Sequence, residues 1–269
     1  KEAEFLASTD ANFRPVDMKN GPDGCLYIVD MYRGIIQEGN WTKKGSFLRP
    51  VIEKMGFDKN IGKGRIYRIV HDEINPSKTI KLLDKTSEEL LPFLNHDNGW
   101  YRMNAQKLII LKGDKSVISK LKKMTTSDDA VLGRLHALWT MEGLDAIDEA
   151  ILLKALEDKD TRIKQAALRI AEPFLKENNV KILNAMSALK DDSDIEIPIQ
   201  LIHSFSTYKT PETKKVIKYI LEKHPQNEVI TTIGTEALKE VPPVIEQLKK
   251  KHVLQSGVVK NAIIEGYKN

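Results

Sequence analysis

A pattern of three β-strands near the start of the chain most constrains its fold, because the pattern occurs once. Residues 15–18 and 25–30 are predicted strands joined by the turn Gly21-Pro22-Asp23-Gly24, and residues 64–70 form a third predicted strand after a long loop. A lone three-stranded sheet buries little apolar surface and is marginally stable. The sequence therefore predicts a small antiparallel sheet that needs packing partners outside itself.

The longer remainder has helical periodicity. From residue 86 onward hydrophobic residues recur three and four positions apart, in segments separated by Gly, Asn, Asp and Pro. Pro198 is expected inside the fourth inner helix, where it either costs an internal hydrogen bond or marks a first-turn position. Pro211 and the pair Pro242-Pro243 are expected at helix starts. The predicted outer helices cover 117–124, 146–156, 180–189 and 214–221, and a short helical stretch at 48–55 lies within the long loop.

The predicted helices form repeating pairs. A basic residue three positions before an alanine recurs at intervals of 32 and 30 residues. The three examples are Arg102 with Ala105, Arg134 with Ala137, and Lys164 with Ala167. An acid or amide precedes each inner helix, as a capping residue should. The pattern from Asp158 to Ala167 resembles the HEAT family over about residues 86–255, which implies a right-handed α-solenoid.

The expected fold is therefore mainly α, a HEAT-like α-solenoid with a small N-terminal antiparallel sheet. Its expected domains are residues 1–80 and residues 81–269. The 42 basic and 38 acidic residues give a net charge of +4 without a concentrated basic arm, so nucleic acid is not implied. No apolar run approaches the length of a membrane span. Cys25 is the sole cysteine, which excludes an internal disulfide or a haem attachment motif.

Sheet and repeats together resemble the putative membrane-bound dehydrogenases of environmental bacteria. Proteins of that family join a β-propeller, similar to that of pyrroloquinoline-quinone (PQQ) sugar and sorbosone dehydrogenases, to HEAT repeats and usually a c-type cytochrome domain. The resemblance implies that this chain is the last propeller blade with the HEAT segment. It runs over most of residues 10–175 and rests on Phe13-Arg-Pro-Val-Asp-Met, Asp30-Met-Tyr-Arg-Gly-Ile-Ile-Gln37, Ile61-Gly-Lys-Gly-Arg-Ile-Tyr-Arg-Ile-Val70, Trp100-Tyr-Arg and Arg134-Leu-His-Ala-Leu-Trp.

The same resemblance implies a periplasmic or envelope-attached parent that oxidises a sugar-like substrate and passes electrons to haem c. No catalytic residue, metal site or cofactor is expected in this chain alone, because one blade cannot complete a propeller channel. For the parent, the candidate cofactor-binding residues are Arg14, Asp30, Tyr32 and Arg33, since arginines suit the carboxylates of PQQ. A structural alternative is that Asp30, like Asp17, caps a turn.

Two functions from different classes remain open. The chain is either a non-catalytic connector of that dehydrogenase, in contact with the other blades and the cytochrome domain, or a stand-alone HEAT module whose concave surface binds a protein. His136 is expected to be packed or partly exposed. Arg102, Arg134 and Lys164 are expected to pair with acids such as Asp97, Asp128 and Asp160. The long loop is expected to dock on the first repeats through Trp41, Phe47 and Phe57.

Overall fold

A computed structural model describes residues 4–36, 39–127 and 130–239. The described chain is mainly helical and begins with a small antiparallel sheet, as the sequence predicts. It forms two compact units that divide between Asp145 and Ala146, so the first unit contains both the sheet and the first helices. None of the helices in the described ranges is long and apolar enough to cross a membrane.

The sheet consists of β1 (Pro15–Asn20), β2 (Leu26–Asp30) and β3 (Arg65–Ile69), in the order β1-β2-β3. Both pairings are antiparallel, and the β1–β2 register shifts between Pro15 and Asp17. Gly24 adopts a φ of +82° in the connecting turn, a conformation that glycine tolerates without steric cost. The three predicted strands and the turn are therefore confirmed.

One face of the sheet is open. Ile28, in the central strand, is only 1% exposed on the covered face. By contrast, Val16, Val29 and Ile66 line one shallow depression and are 54%, 36% and 66% exposed. Side chains alternate between the faces of a strand, so Val29 and Ile66, which pair in register, lie on the face opposite to Ile28. The Ile28 face is buried only at its centre, because the flanking Met18 and Tyr67 are exposed. We call the surface formed by Val16, Val29 and Ile66 the open face.

The first unit continues with short helices. Asn98 caps the longest of them through a hydrogen bond from the Trp100 N–H, and that helix packs on the last helix of the unit. The helices are α1 (Arg49–Met55), α2 (Ser87–Leu90), α3 (Gly99–Lys112), α4 (Ile118–Met124) and α5 (Val131–Gly143), with 3-10 turns at Phe57–Lys59, Leu91–Asn95 and Lys115–Val117. The short helix predicted in the long loop corresponds to α1.

The second unit is built from helices alone within its described part. Its members are α6 (Glu149–Leu156), α7 (Thr161–Ile170), α8 (Glu172–Lys176), α9 (Val180–Ala188), α10 (Glu196–Ser206), α11 (Pro211–Lys223) and α12 (Glu228–Leu238), with a 3-10 turn at Leu189–Asp191. Helix α7 packs on α10, and α10 on α12, while α6, α9 and α11 lie beside this row. The four predicted outer helices correspond to α4, α6, α9 and α11.

Prolines and alanines occupy the predicted positions. Pro198 is the third residue of α10 and Pro211 the first of α11, where a missing N–H costs no internal helix bond. Pro242 and Pro243 lie outside the described residues. The repeat alanines are fully buried, each with 0% exposure: Ala105, Ala137 and Ala167. A small side chain at these positions lets neighbouring helices approach closely.

Polar contacts within each unit join residues about one repeat apart. In the first unit Lys120 pairs with Glu88, 32 positions away, and His136 bonds to Gln106, 30 positions away. The second unit has contacts of the same kind. They join Glu149 to Lys181 (32 positions), Lys164 to Asp192 (28), Asn178 to Tyr208 (30) and Asp191 to Lys223 (32). Successive helix pairs in each unit therefore meet in a recurring register.

The expected pairing of Arg102 with an acid is wrong. Arg102 donates to the backbone carbonyls of His96 and Asp97, at 2.6 and 2.8 Å, rather than to a carboxylate. Helical side chains point toward the helix N-terminus, so the guanidinium reaches the preceding loop. Arg134 donates to the Ser127 carbonyl at 3.0 Å, and its expected pairing with Asp128 stays a prediction.

The lysine of the third repeat has a different partner from the one expected. Lys164 pairs with Asp192, in the loop before the next inner helix, whereas Asp160 bonds to Arg162. The Lys164 side chain reaches the next repeat, while Asp160 bonds within the first turn of its own helix. Asp128 lies outside the described residues.

The predicted docking of the long loop is also wrong for two of its three aromatic residues. Trp41 is 58% exposed and Phe47 is 92% exposed. The Phe57 ring instead lies against Gly34, where a Cβ atom would come within 2.3 Å of it. The sheet meets the helices elsewhere: Asn98 Nδ2 donates to the Gly21 carbonyl at 2.9 Å. A hydrogen bond from the Asn98 side chain to a backbone carbonyl, not an aromatic cluster, makes this link.

Candidate functional site

Asp30 is the centre of a charged corner where β2 ends. Its side chain is buried, and Oδ1 accepts hydrogen bonds from the backbone N–H groups of Arg14, at 2.7 Å, and Tyr32, at 2.8 Å. Oδ2 is buried without a hydrogen bond among the described residues, and its nearest cation is Arg65, with Nε 3.9 Å away. Oδ1 therefore holds the backbone in place, whereas Oδ2 is stabilised through the charge of Arg65.

Arg14 clamps the segment that follows β2. Its Nε donates to the carbonyl of Arg33 and its Nη2 to the carbonyl of Gly34, both at 3.3 Å. Asn12 supports the same segment by accepting the Gly34 N–H at 3.2 Å. The guanidinium of Arg14 is thus largely used inside the protein, which limits what it can offer to a ligand.

Tyr32 lies in a strained conformation under an arginine. Its φ is +50°, in the left-handed region that non-glycine residues seldom adopt. The guanidinium carbon of Arg65 lies 3.6 Å from the centre of the Tyr32 ring, a cation–π contact. A hydrogen bond from the Asn12 backbone N–H, and a smaller contribution from the Tyr32 hydroxyl, hold the pKa of Asp10 below its ordinary value. These contacts and the Asp30 bond stabilise the strained residue.

Arg33 differs from its neighbours because part of its donor capacity is unused. Its Nε is buried and has no hydrogen-bond partner in the described chain. A buried donor without a partner costs free energy, so such atoms call for an explanation. The corner brings together all four candidate residues, Arg14, Asp30, Tyr32 and Arg33, but Arg33 alone among them carries a buried nitrogen donor without a partner.

The chemistry of the corner favours holding over catalysis. Asp30 is committed to two backbone donors, so it is not arranged as a free general base. Within the described ranges, no group of three or more His, Cys, Asp and Glu side chains could hold a metal ion. Asp17 lies apart from this arrangement as an exposed β1 residue paired with Lys19 at 3.0 Å. Lys19 holds the pKa of Asp17 below its ordinary value.

His136 is half-buried between two helices rather than in a reactive setting. Its Nδ1 lies 2.7 Å from Oε1 of Gln106 on the neighbouring helix α3. Burial, and then the positive charge of Arg102, lower its pKa. This position agrees with the expectation of a packed histidine.

Sequence reasoning missed Arg65 and Asn12. Arg65 lies opposite Asp30 in the β2–β3 register, so aligning the two strands would have placed the arginine beside the aspartate. Asn12 gave no such signal. Its Oδ1 also accepts from Asn60 Nδ2 at 2.7 Å, across 48 positions of sequence, and short-range patterns do not reveal contacts at that separation.

Comparison with known proteins adds one match. A family described as a domain of unknown function (DUF7133) matches residues 1–73, which include the sheet, the long loop and the whole charged corner. No curated protein matches the chain.

Proposed function

We propose that this chain is a non-catalytic connector of a larger quinoprotein-like dehydrogenase. In that parent, the sheet is the last blade of a propeller and the helices carry the chain toward a c-type cytochrome domain. The parent oxidises a sugar-like substrate, passes electrons to haem c and is periplasmic or envelope-attached. The observation that carries the proposal is the open face, where three aliphatic side chains of a small sheet are exposed side by side.

Blades of a propeller pack face to face, with aliphatic side chains between them. The open face has the composition of such an internal surface: Val16, Val29 and Ile66 come from three different strands of one sheet. Fully burying side chains of this size is worth about 1.5–3 kcal/mol each. A neighbouring sheet would supply that burial.

The helical part supports the role of a spacer. Contacts at separations of 28 to 32 positions recur within both units, and α7, α10 and α12 form a row. Both features are those of a HEAT-like α-solenoid, in which each repeat packs on its neighbours. A solenoid of this kind holds two other domains apart without a catalytic residue of its own.

The charged corner fits a limited part in cofactor binding. PQQ, when bound in the parent, supplies the two-electron redox chemistry. Arg33 would offer it a charged hydrogen-bond donor, while Arg14, Asp30 and Tyr32 position the Arg33 backbone. Haem c does not fit this chain, because its covalent attachment takes two cysteines and the sequence has one. The haem therefore belongs to another part of the parent.

One pair of measurements tests the connector proposal. Ile66→Asp is made both in this chain and in the complete polypeptide that contains it, with Val180→Asp on the exposed surface of α9 as the control. We expect no change in the melting temperature of the chain alone, because Ile66 is exposed there. In the complete polypeptide Ile66→Asp should lower the melting temperature and the dehydrogenase activity, whereas the control should not. Equal stability and activity of the two variants would contradict the proposal.

The alternative, a stand-alone HEAT-like module that binds a protein, is favoured by a different observation. Helix α3 leaves Met103 and Leu111 exposed at 67% and 70%. Exposed apolar side chains on one helix face are typical of interaction sites. This surface is separate from the open face.

A further inference from the structure

The face of α3 that points away from its neighbours is unusually apolar. Tyr101, Ala105 and Ile109 are buried, while Gln106 and Ile110 contact α5 through His136 and Gly143. The remaining face should be polar on an ordinary surface helix. Instead it carries the large apolar side chains of Trp100, Met103 and Leu111, beside the polar Asn104 and Lys107.

A groove begins at one end of this face. It has a volume of about 620 Å³ and separates the start of α3 from the β1–β2 turn, all within the first unit. Tyr27 and Pro22 form one wall, and Trp100 and Met103 form the other. Ligand sites of about 300–1,000 Å³ with mostly apolar walls are typical. We call this cavity the α3 groove.

The α3 groove has polar groups that are available to a ligand. The indole N–H of Trp100 and the carboxamide of Asn20 make no hydrogen bond within the described residues. Asn104 donates its Nδ2 to the Trp100 carbonyl at 2.7 Å, which leaves its Oδ1 as an acceptor. An extended peptide main chain, with alternating N–H and C=O groups, would satisfy both the donors and the acceptor.

Charge decides which peptide fits. The lining residues include Lys19 and no carboxylate, and Lys107 follows on the exposed face of α3. Lys19 pairs with Asp17, but both side chains are exposed, at 77% and 52%, and such pairs are weak. A ligand with acidic residues next to its apolar anchor would therefore complement Lys19 and Lys107.

We propose that the α3 groove binds an extended peptide segment of another protein, with one large apolar anchor flanked by acidic residues. The anchor packs between Trp100 and Tyr27, its main chain bonds to the Trp100 indole, and its carboxylates lie near Lys19 and Lys107. The proposal concerns a different surface from the open face, so it does not rest on the connector proposal and its failure would leave that proposal intact.

A display library of random nonapeptides tests the proposal against the intact chain. We expect enriched peptides to share an aromatic or large aliphatic residue next to Asp or Glu. Met103→Asp changes an exposed side chain, so it should leave the fold intact, as a circular dichroism melting curve checks, yet abolish the enrichment. Absence of enrichment, or the same peptides selected by Met103→Asp, would overturn the proposal.

Fluorescence anisotropy with one enriched, labelled peptide measures the contribution of charge. Lys107→Glu and a peptide with its acids changed to Lys should each weaken binding by about tenfold or more, which corresponds to about 1.4 kcal/mol. Val180→Asp, on another helix, is the matched control and should bind like the wild type. Equal affinity of acidic and basic peptides would also refute the proposal. Self-association of the chain that Met103→Asp abolishes would refute it too, because it would identify a second copy as the occupant.

Discussion

Ala167→Asp should unfold most of the second unit, because Ala167 is the fully buried alanine at the contact of α7. An ionised carboxylate there would have no solvent, and Lys164, one turn earlier, is already paired with Asp192. Burial can raise a carboxyl pKa by about 3–5 units. Each pKa unit between the ordinary carboxyl value of about 3.9 and pH 7 costs 1.36 kcal/mol, so the loss at neutral pH is about 4 kcal/mol. Typical domain stability is about 5–15 kcal/mol, so a large part of it would be lost.

Urea denaturation followed by circular dichroism measures this loss, and Ala188→Asp on the exposed side of α9 is the matched control. The buried carboxyl has a raised pKa in the folded state, so its penalty is present above the ordinary carboxyl pKa and shrinks as pH falls. We therefore expect the difference between the two variants to be large at pH 7 and smaller at pH 4. Equal unfolding free energies of Ala167→Asp and Ala188→Asp at pH 7 would refute the repeat register.

Three further changes probe single contacts. Asp30→Ala removes the acceptor of two backbone N–H groups, so the unfolding free energy measured with denaturant should fall by about 2–4 kcal/mol. A fall of less than about 0.5 kcal/mol would mean that this carboxylate does not hold the corner. Burial and then the charge of Arg102 lower the pKa of His136, so unfolding free energy should fall as pH drops below about 6.5. His136→Phe should flatten that dependence, and an unchanged slope would contradict the assignment. A double-mutant cycle of Lys164→Met and Asp192→Asn should give a coupling free energy of about 1 kcal/mol or more. Additive effects of the two substitutions would show that the pair contributes no stability.

The strands and helices were predictable because their signals are local. Alternation placed β2 at 25–30, against the observed Leu26–Asp30, and the helical period placed a helix at 180–189, against Val180–Ala188. Ala167 was assigned to a close helix contact and is fully buried. In each case a few neighbouring residues determine the outcome through backbone geometry and amphipathic patterning.

The partners of long charged side chains were not predictable in the same way. Arg102 bonds to loop carbonyls, and Lys164 to Asp192 in place of Asp160, because a flexible chain reaches whichever acceptor the loop presents. Trp41 and Phe47 were expected to be packed, yet both are exposed. An apolar side chain in the sequence indicates that its burial against another surface is favourable, but not that this surface belongs to the same chain.

Hydroxyl-radical footprinting with mass spectrometry tests the connector proposal most directly, because it measures side-chain exposure at the open face. Val29 and Ile66 are compared between this chain and the complete polypeptide, with Val180 as an internal reference. If a neighbouring sheet packs on the open face, labelling of Val29 and Ile66 will be several-fold slower in the complete polypeptide, while Val180 is labelled at the same rate. Equal labelling of Val29 and Ile66 in both proteins would contradict the connector proposal.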